Sequence, residues 1–365
     1  MFQKGLKDVV AVQTAIASVE GDKGELRYRG VLVERVTAGR SFEETAYFLW
    51  NGQFPTVQQH EELKRQFAKY RTLPSYLQQI ARELPADAPL MDKMRTLLSA
   101  YYTEEYLNLP PAEQAVALTA ALPVMTAVLY RLQTGQDIIA PDSSLSHTAN
   151  YLWMLTGEKP AAAQTEALET YLKLTMEHGM NASTFAARVT VSTESDMVAA
   201  VTSALGAMKG PLHGGAPSGV LALLDDISSA ETVDAVITRK LDAGEKIMGF
   251  GHRIYRTEDP RSILLRQKCL ELQGHDAWLD LAVEAEKRII HLLNERKPGR
   301  ALYTNVEFYA AAIMRSINMP PELFTPTFSV ARIVGWTAHT LEQQSDNVIF
   351  RPQSEYIAQK NPVSN

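Results

Sequence analysis

Strand-forming sequence is confined to the start of this 365-residue chain. Thr14 to Val19, the turn Glu20-Gly21-Asp22-Lys23-Gly24, and Glu25 to Tyr28 read as one small hairpin around a glycine-containing loop. Beyond it most of the chain has helical periodicity. The fold class expected is all-α with a small N-terminal β-hairpin.

Helix boundaries are marked by punctuation. Ser41-Phe42-Glu43-Glu44 is capping-box-like and starts a helix that runs to Leu49 or Trp50 and stops at Asn51-Gly52. Pro111 starts a long apolar helix ending near Gly135, with Pro123 as an expected kink. Further helices are expected at Leu145 to Leu155, Ala161 to Glu177, Glu194 to Met208, Val233 to Ala243, Leu279 to Asn294 and Glu307 to Ile317. Thr325-Pro326 has a cap-then-proline pattern and opens a helix to about Gln343. Gln353 to Asn365 reads as a frayed tail. Polar turns near Gly210 to Ser218 and Asn318 to Pro321 are the expected domain crossings, consistent with a length that suits two domains.

Bulk properties exclude some classes of function. The formal net charge of −6 argues against nucleic acid as the main partner. The one cysteine, Cys269, permits no intramolecular disulfide and lies on an amphipathic helix pattern as a small core residue. The N-terminus lacks a secretory signal pattern, and no uninterrupted apolar run reaches about 18 residues. A cytoplasmic protein with no membrane span is expected.

Two histidines sit in glycine-flanked junctions that open helices: Gly210-Pro211-Leu212-His213-Gly214-Gly215 and Gly249-Phe250-Gly251-His252-Arg253. A histidine there can meet a ligand and exchange protons near neutral pH. No apolar periodicity asks for either one. His178 stands where a helix ends, a place that the helix dipole alone accounts for equally well. His275 lies in a polar turn and reads as solvated. From Lys246 to Ser262 there are four basic residues and two acidic ones, so Arg256 and Arg261 mark either a solvated loop or a phosphate or carboxylate site. Arg332 shares a helix face with Phe328, Gly335 and Trp336, where it snorkels or reaches a buried anion. Glu307 is one carboxylate in an apolar run: a helix N-terminal acid, or a general base tuned by burial.

Other templates fail. There is no phosphate-binding Gly-x-x-x-x-Gly-Lys-Ser/Thr loop and no His-Glu-x-x-His. The segment from Gly249 to Ile254 lacks the third glycine of a dinucleotide fingerprint. His213 and His252 have no clustered third ligand to make a metal site.

Taken together, these segments resemble citrate synthase in its short bacterial form, over nearly the whole chain and in motif order. The resemblance rests on the start Gly5-Leu6-Lys7-Asp8-Val9, on Leu26-Arg27-Tyr28-Arg29-Gly30 and on His178-Gly179-Met180-Asn181-Ala182-Ser183-Thr184. It continues through Gly210 to Gly214, Gly249 to Arg261, Asn305-Val306-Glu307, Phe328 to Arg332 and Phe350-Arg351-Pro352.

The resemblance implies a two-domain helical homodimer. Residues 1–213 and 318–365 would form the large, dimer-forming domain, and residues 214–317 a small domain that closes over the site. It implies condensation of acetyl-CoA with oxaloacetate and water to citrate and CoA. Glu307 would take a proton from the acetyl methyl group, and His213 would hold the thioester oxygen. His252 would assist attack on the ketone, and citryl-CoA would then be hydrolysed. His178, Arg261 and Arg332 would bind oxaloacetate, with Arg351 supplied to the partner subunit's site. Met248, Gly249, Phe250, Gly251 and Arg256 would contact CoA. No tightly bound cofactor and no metal are implied. The family usually has aspartate at the position of Glu307, and the extra methylene moves the carboxylate by about 1 Å. Two alternatives stand beside this reading: a 2-methylcitrate synthase using propionyl-CoA, and a ligand-binding homologue with weakened turnover.

Overall fold

The hairpin forms, and a third strand joins it. Strand β1 (Ala17–Glu20) pairs antiparallel with β2 (Glu25–Tyr28), with Ala17 opposite Tyr28. Strand β3 (Val31–Leu32) returns on the other edge of β2. The computed structural model describes residues 2–357 except Lys7, Gly215, Arg253, Gln273, His275, Asp276 and Ala301, and for Ala216, Pro217 and Ser218 the backbone only. The expected polar turn at His275 and most of the expected tail therefore lie outside the described residues.

All other regular structure among the described residues is helical. Ser41 caps the helix Phe42–Asn51 through a full capping box with Glu44, and Gly52 ends it. The helix Pro111–Gln133 is the centre of the fold. Every residue from Ala115 to Leu129 is buried, and Pro123 lies within the helix without ending it. By length and hydropathy this segment could cross a bilayer, but its burial is that of a core helix. The helices Val57–Tyr70, Leu90–Ser99, His147–Thr156 and Phe324–Ser345 pack around it.

Five helices between Ala216 and Ser316 pack chiefly on one another: Ala216–Ile227, Val233–Asp242, Pro260–Glu271, Ala277–Arg296 and Val306–Ser316. Cys269, Leu279, Ala282, Ile289 and Phe308 are buried in this group, so the cysteine is a core residue. Pro260–Glu271 and Val306–Ser316 also rest on Ala162–Thr175 of the first group. A cleft between the two groups holds the site described below.

Several boundaries differ from the sequence expectations. The helix expected to reach Glu177 ends at Thr175, so His178 stands in a turn beyond it. The helix expected from Glu194 begins at Met197, where the Asp196 carboxylate accepts from the Ala199 N–H. Thr325 and Pro326 are not a start: the helix begins at Phe324 behind a single 3-10 turn, Pro321–Leu323. Pro326 is tolerated because first-turn N–H groups have no partner within the helix. The helix Ala182–Ser192 escaped detection because its inner face carries Ser183, Thr184, Arg188 and Ser192, all buried. A helix whose hidden stripe is polar gives no apolar period.

Candidate active site

A cavity of about 480 Å³ opens in the cleft, and residues from five separate segments line it. Among them are His178, His213, His252, Arg261, Glu307 and Arg332. The sequence scatters these six over more than 150 positions, and the fold brings all of them to one wall or another.

His178 follows the helix Ala162–Thr175 and is 9% exposed. Its Nε2 lies 3.1 Å from the Tyr255 hydroxyl. His213 sits in the turn between Met197–Met208 and Ala216–Ile227, with its N–H donating to the Gly210 carbonyl at 2.9 Å. Its Nε2 lies 2.8 Å from Ser183 Oγ. That hydroxyl accepts from the Trp336 indole N–H at 3.0 Å and lies 2.7 Å from Asn181 Oδ1. A serine has one proton to give. It goes either to Asn181 or to His213, and that choice decides which ring nitrogen of His213 is protonated.

The second glycine junction is locked to the helix that carries Glu307. Gly249 and Gly251 have φ of 86° and 85°, a region that disfavours any residue with a Cβ. Asn305 donates its N–H to the Gly249 carbonyl at 2.9 Å and its side-chain Nδ2–H to the Gly251 carbonyl at 3.0 Å. The same asparagine caps Val306–Ser316, its Oδ1 accepting from the Glu307 N–H at 3.1 Å. One residue thus sets both the His252 loop and the base of the Glu307 side chain. His252 Nδ1 accepts from the Ile254 and Tyr255 N–H groups at 3.0 and 3.1 Å. Its proton is therefore on Nε2, the nitrogen left for a ligand.

Two arginines are buried here. Arg261 forms a two-point pair with Asp259, Nε to Oδ1 at 3.0 Å and Nη2 to Oδ2 at 2.8 Å. Asp259 also caps the helix Pro260–Glu271 and accepts from the Val306 N–H at 3.3 Å. Arg332 is 2% exposed, gives its Nε–H to the Thr175 carbonyl at 2.7 Å and stacks its guanidinium over Phe328.

Burial and these cations tune the ionisable groups. Burial pushes the Glu307 carboxyl up to about 7, against a downward pull from Arg261. His213 is lowered to about 4 by burial and by Arg332. His252 is lowered to about 4 by burial and by Arg261. His178 falls well below the usual histidine range through burial, Arg261, Arg332 and His252. At neutral pH the cavity therefore holds neutral imidazoles, fixed cations and a carboxyl poised between its two forms. That combination can abstract a weakly acidic proton and hold an anion.

The comparisons agree with this chemistry. Residues 5–353 match the model of the citrate synthase C-terminal domain. The chain belongs to the citrate synthase family. A citrate synthase from Synechocystis sp. is 38% identical over 99% of this chain and 92% of its own. A 2-methylcitrate synthase from Corynebacterium glutamicum is 39% identical over 97% of this chain and 94% of its own. The structure superimposes with TM-score 0.89 on citrate synthase from Thermoplasma acidophilum, solved as a ternary complex with carboxymethyl coenzyme A and oxaloacetate. That match has 28% identity and covers 99% of this chain and 97% of the other.

The remaining residues suggested by the family motifs lie elsewhere. Arg351 is exposed and lines a separate groove of about 1050 Å³ between the two terminal segments. Arg256 is exposed on the surface, and its N–H donates to the Gly21 carbonyl at 2.9 Å. Met248 is 37% exposed and covers Gly219. Phe250 bridges to Thr304 and packs edge-on against Phe308. Of the CoA-contact set, only Gly251 lines the cavity.

Four supporting residues were not singled out from the sequence. Asp259 and Asn305 had a local signal, a cap-type residue just before a helix. Ser183 and Tyr255 had none, since the rings they hold, those of His213 and His178, are 30 and 77 residues away in the chain.

Proposed function

We propose that this cavity condenses acetyl-CoA with oxaloacetate and that Glu307, His213 and His252 carry the chemistry. The observation that supports this most is a buried carboxyl at about 7 in one cavity with two neutral imidazoles and two buried guanidinium groups. The acetyl-CoA methyl proton is weakly acidic, so a lone carboxylate needs help at the oxygen where charge develops. Glu307 takes the proton. His213 donates to the thioester oxygen, which requires its Nδ1–H because Nε2 faces Ser183. In that tautomer Nε2 accepts a hydrogen bond from the Ser183 hydroxyl, which turns from Asn181 Oδ1 to make it.

The enol carbon attacks the ketone of oxaloacetate. His252 donates from Nε2 to that ketone oxygen and supplies the proton that makes it a hydroxyl. Arg261, Arg332 and His178 hold the two carboxylates and orient the ketone. Hydrolysis of citryl-CoA then releases citrate and CoA. CoA acts as a co-substrate, with Arg256 at a phosphate and Met248 to Gly251 beside the adenine. The ternary complex solved for the Thermoplasma acidophilum relative supports this pair of ligands.

The exposed position of Arg351 supports a homodimer in which the C-terminal segment completes the partner's site. The five helices between Ala216 and Ser316 form the domain, residues 214–317, that closes over the substrates and excludes water. Residues 1–213 and 318–365 form the large domain. The single, buried Cys269 fits a reducing cytoplasm.

Acyl preference is a separate question, because one methylene changes binding by only about 1–3 kcal/mol. We favour acetyl-CoA, and the 39% identity to a 2-methylcitrate synthase makes propionyl-CoA the second substrate to measure. The test is oxaloacetate-dependent thiol release from both acyl-CoAs side by side. A higher kcat/KM with acetyl-CoA supports the assignment, a higher one with propionyl-CoA reverses it, and no thiol release from either leaves a binding protein.

A further inference from the structure

Directly behind His178 lies a second buried polar group of residues that the proposed reaction does not use. Glu177 and His339 have no exposed surface, and Arg188 is 2% exposed. Glu177 Oε1 accepts from the Gly179 N–H at 2.5 Å, so this carboxylate closes the turn that aims His178. The same oxygen lies 3.2 Å from His339 Nε2, an electrostatic contact that is not aligned as a hydrogen bond. Arg188 donates its Nε–H to His339 Nδ1 at 3.0 Å. The proton of the His339 ring is therefore on Nε2, facing Glu177. Space for the carboxylate depends on Gly335, one turn earlier on the same helix. A Cβ there would collide with Glu177 Oε2 and with the Met176 carbonyl.

The other end of this chain of contacts reaches both termini. Arg188 donates from Nη1 to Gln343 Oε1 at 2.9 Å and from Nη2 to Glu342 Oε2. Glu342 Oε1 accepts from the Ala15 N–H at 2.8 Å. Gln343 Nε2 donates to Asn347 Oδ1 at 3.1 Å and to the Val348 carbonyl at 3.4 Å. One guanidinium thus ties the N-terminal segment at Ala15 and the C-terminal segment at Val348, and both line the groove that contains Arg351. Apolar residues could fill this volume at lower electrostatic cost. What the polar chain adds is a fixed geometry from the groove to His178.

We propose that Glu177, His339 and Arg188 are positioning residues that couple the seating of the two terminal segments to the oxaloacetate-binding histidine. The inference rests on the reading of the cavity given above. It predicts that a change at Gln343, beside the groove, is felt at the oxaloacetate site. Glu177 holds the turn, His339 holds Glu177, and Arg188 holds His339 against the termini.

The test uses full-length Glu177→Gln, His339→Leu, His339→Gln and Gln343→Leu, with both KM values, kcat and Tm measured for each. Glu177→Gln and His339→Leu raise the oxaloacetate KM about tenfold, the loss expected for one charge-assisted contact, with the acetyl-CoA KM within about twofold of wild type. His339→Gln keeps an N–H toward Glu177 and recovers most of that loss. Gln343→Leu raises the oxaloacetate KM about threefold and is non-additive with Glu177→Gln in a double-mutant cycle. Equal changes in both KM values, no change in either, equal impairment by His339→Gln and His339→Leu, or full additivity would each overturn the coupling. If Glu177→Gln does not fold, the His339 pair and a His339→Leu/Gln343→Leu cycle decide the same question. If wild type releases no thiol, the reading of the cavity fails by itself, and oxaloacetate affinities from calorimetry on the same variants test the chain.

Discussion

The Tyr255 hydroxyl occupies His178 Nε2 at 3.1 Å, a contact between two residues that are 77 apart in the chain. Tyr255 is 3% exposed and its ring also lies against His252, with centroids 4.7 Å apart. Burial raises the phenol above its usual range, so it stays protonated and able to donate. Each of the three cavity histidines therefore has one ring nitrogen claimed by the protein. For His178 it is claimed by Tyr255, for His213 by Ser183, and for His252 by two backbone N–H groups. The other nitrogen of each is the one left for substrate.

Removing the phenol oxygen tests the first of these. Tyr255→Phe keeps the ring packing and leaves His178 Nε2 without its buried partner, a loss of about 1–3 kcal/mol. The oxaloacetate KM is expected to rise about tenfold, with kcat and the acetyl-CoA KM changed by less than about threefold. Steady-state kinetics at saturating levels of each fixed substrate checks it. A fall in kcat with an unchanged oxaloacetate KM would place Tyr255 in the chemistry instead.

Ser183→Ala tests the second. His213 loses the hydroxyl that lets it present Nδ1–H, while the Trp336 indole loses its acceptor. An effect confined to the developing enol oxygen lowers kcat about 100-fold, as loss of one oxyanion-type donor does. The oxaloacetate KM is expected to stay near wild type. Exchange of the acetyl methyl protons with solvent, followed by NMR, should slow in parallel with kcat.

The sequence carried the identity of the cavity residues but little of what holds them. Helical period and capping residues foretold the helices whose hidden faces are apolar, such as Pro111–Gln133 and Ala277–Arg296. They failed at Ala182–Ser192, where the hidden face is mostly polar: Ser183, Thr184, Arg188 and Ser192 beside Ala187 and Val191. That same polar face holds His213 and His339, so the signal was weakest where the supporting contacts are densest. The histidines and arginines stood out through local motifs. Tyr255 meets His178 77 residues away, and His339 meets Glu177 and Arg188 from a separate helix, and a linear pattern carries no trace of either. Arg351 was legible as a motif residue, yet it lies outside the cavity of its own chain.

The pH dependence follows from Glu307. Its carboxyl is raised to about 7, whereas His213 and His252 are lowered to about 4 and are neutral well before it ionises. A base must be unprotonated, so kcat/KM for acetyl-CoA falls about tenfold per pH unit below about 7 with the slope of one proton. A pH–rate profile from about pH 5 to 9 checks this. Glu307→Asp, with a shorter side chain, loses about 100-fold in rate because its carboxylate is misplaced by about 1 Å.

The same shift appears in stability. Glu307 has a folded-state pKa of about 7 against an ordinary 4.5, so the folded protein binds the proton more tightly than the unfolded chain. Its contribution is fully present below about 4.5 and is lost as pH rises through about 7. Glu307→Gln removes that loss. The variant should be more stable than wild type by up to about 3 kcal/mol near pH 8, with the advantage shrinking to below about 1 kcal/mol by about pH 5. Thermal melts of both proteins at the two pH values measure the difference, and an advantage that grows toward acid would have the wrong sign.

The central claim is that Glu307 removes the proton from acetyl-CoA in the cavity it shares with His213 and His252. The most direct measurement is thiol release from acetyl-CoA, with and without oxaloacetate, by wild type and Glu307→Gln at about pH 8. Wild type should release thiol only when oxaloacetate is present, and Glu307→Gln should do so more slowly by about 100- to 10,000-fold. A Glu307→Gln enzyme that keeps the wild-type rate would contradict it.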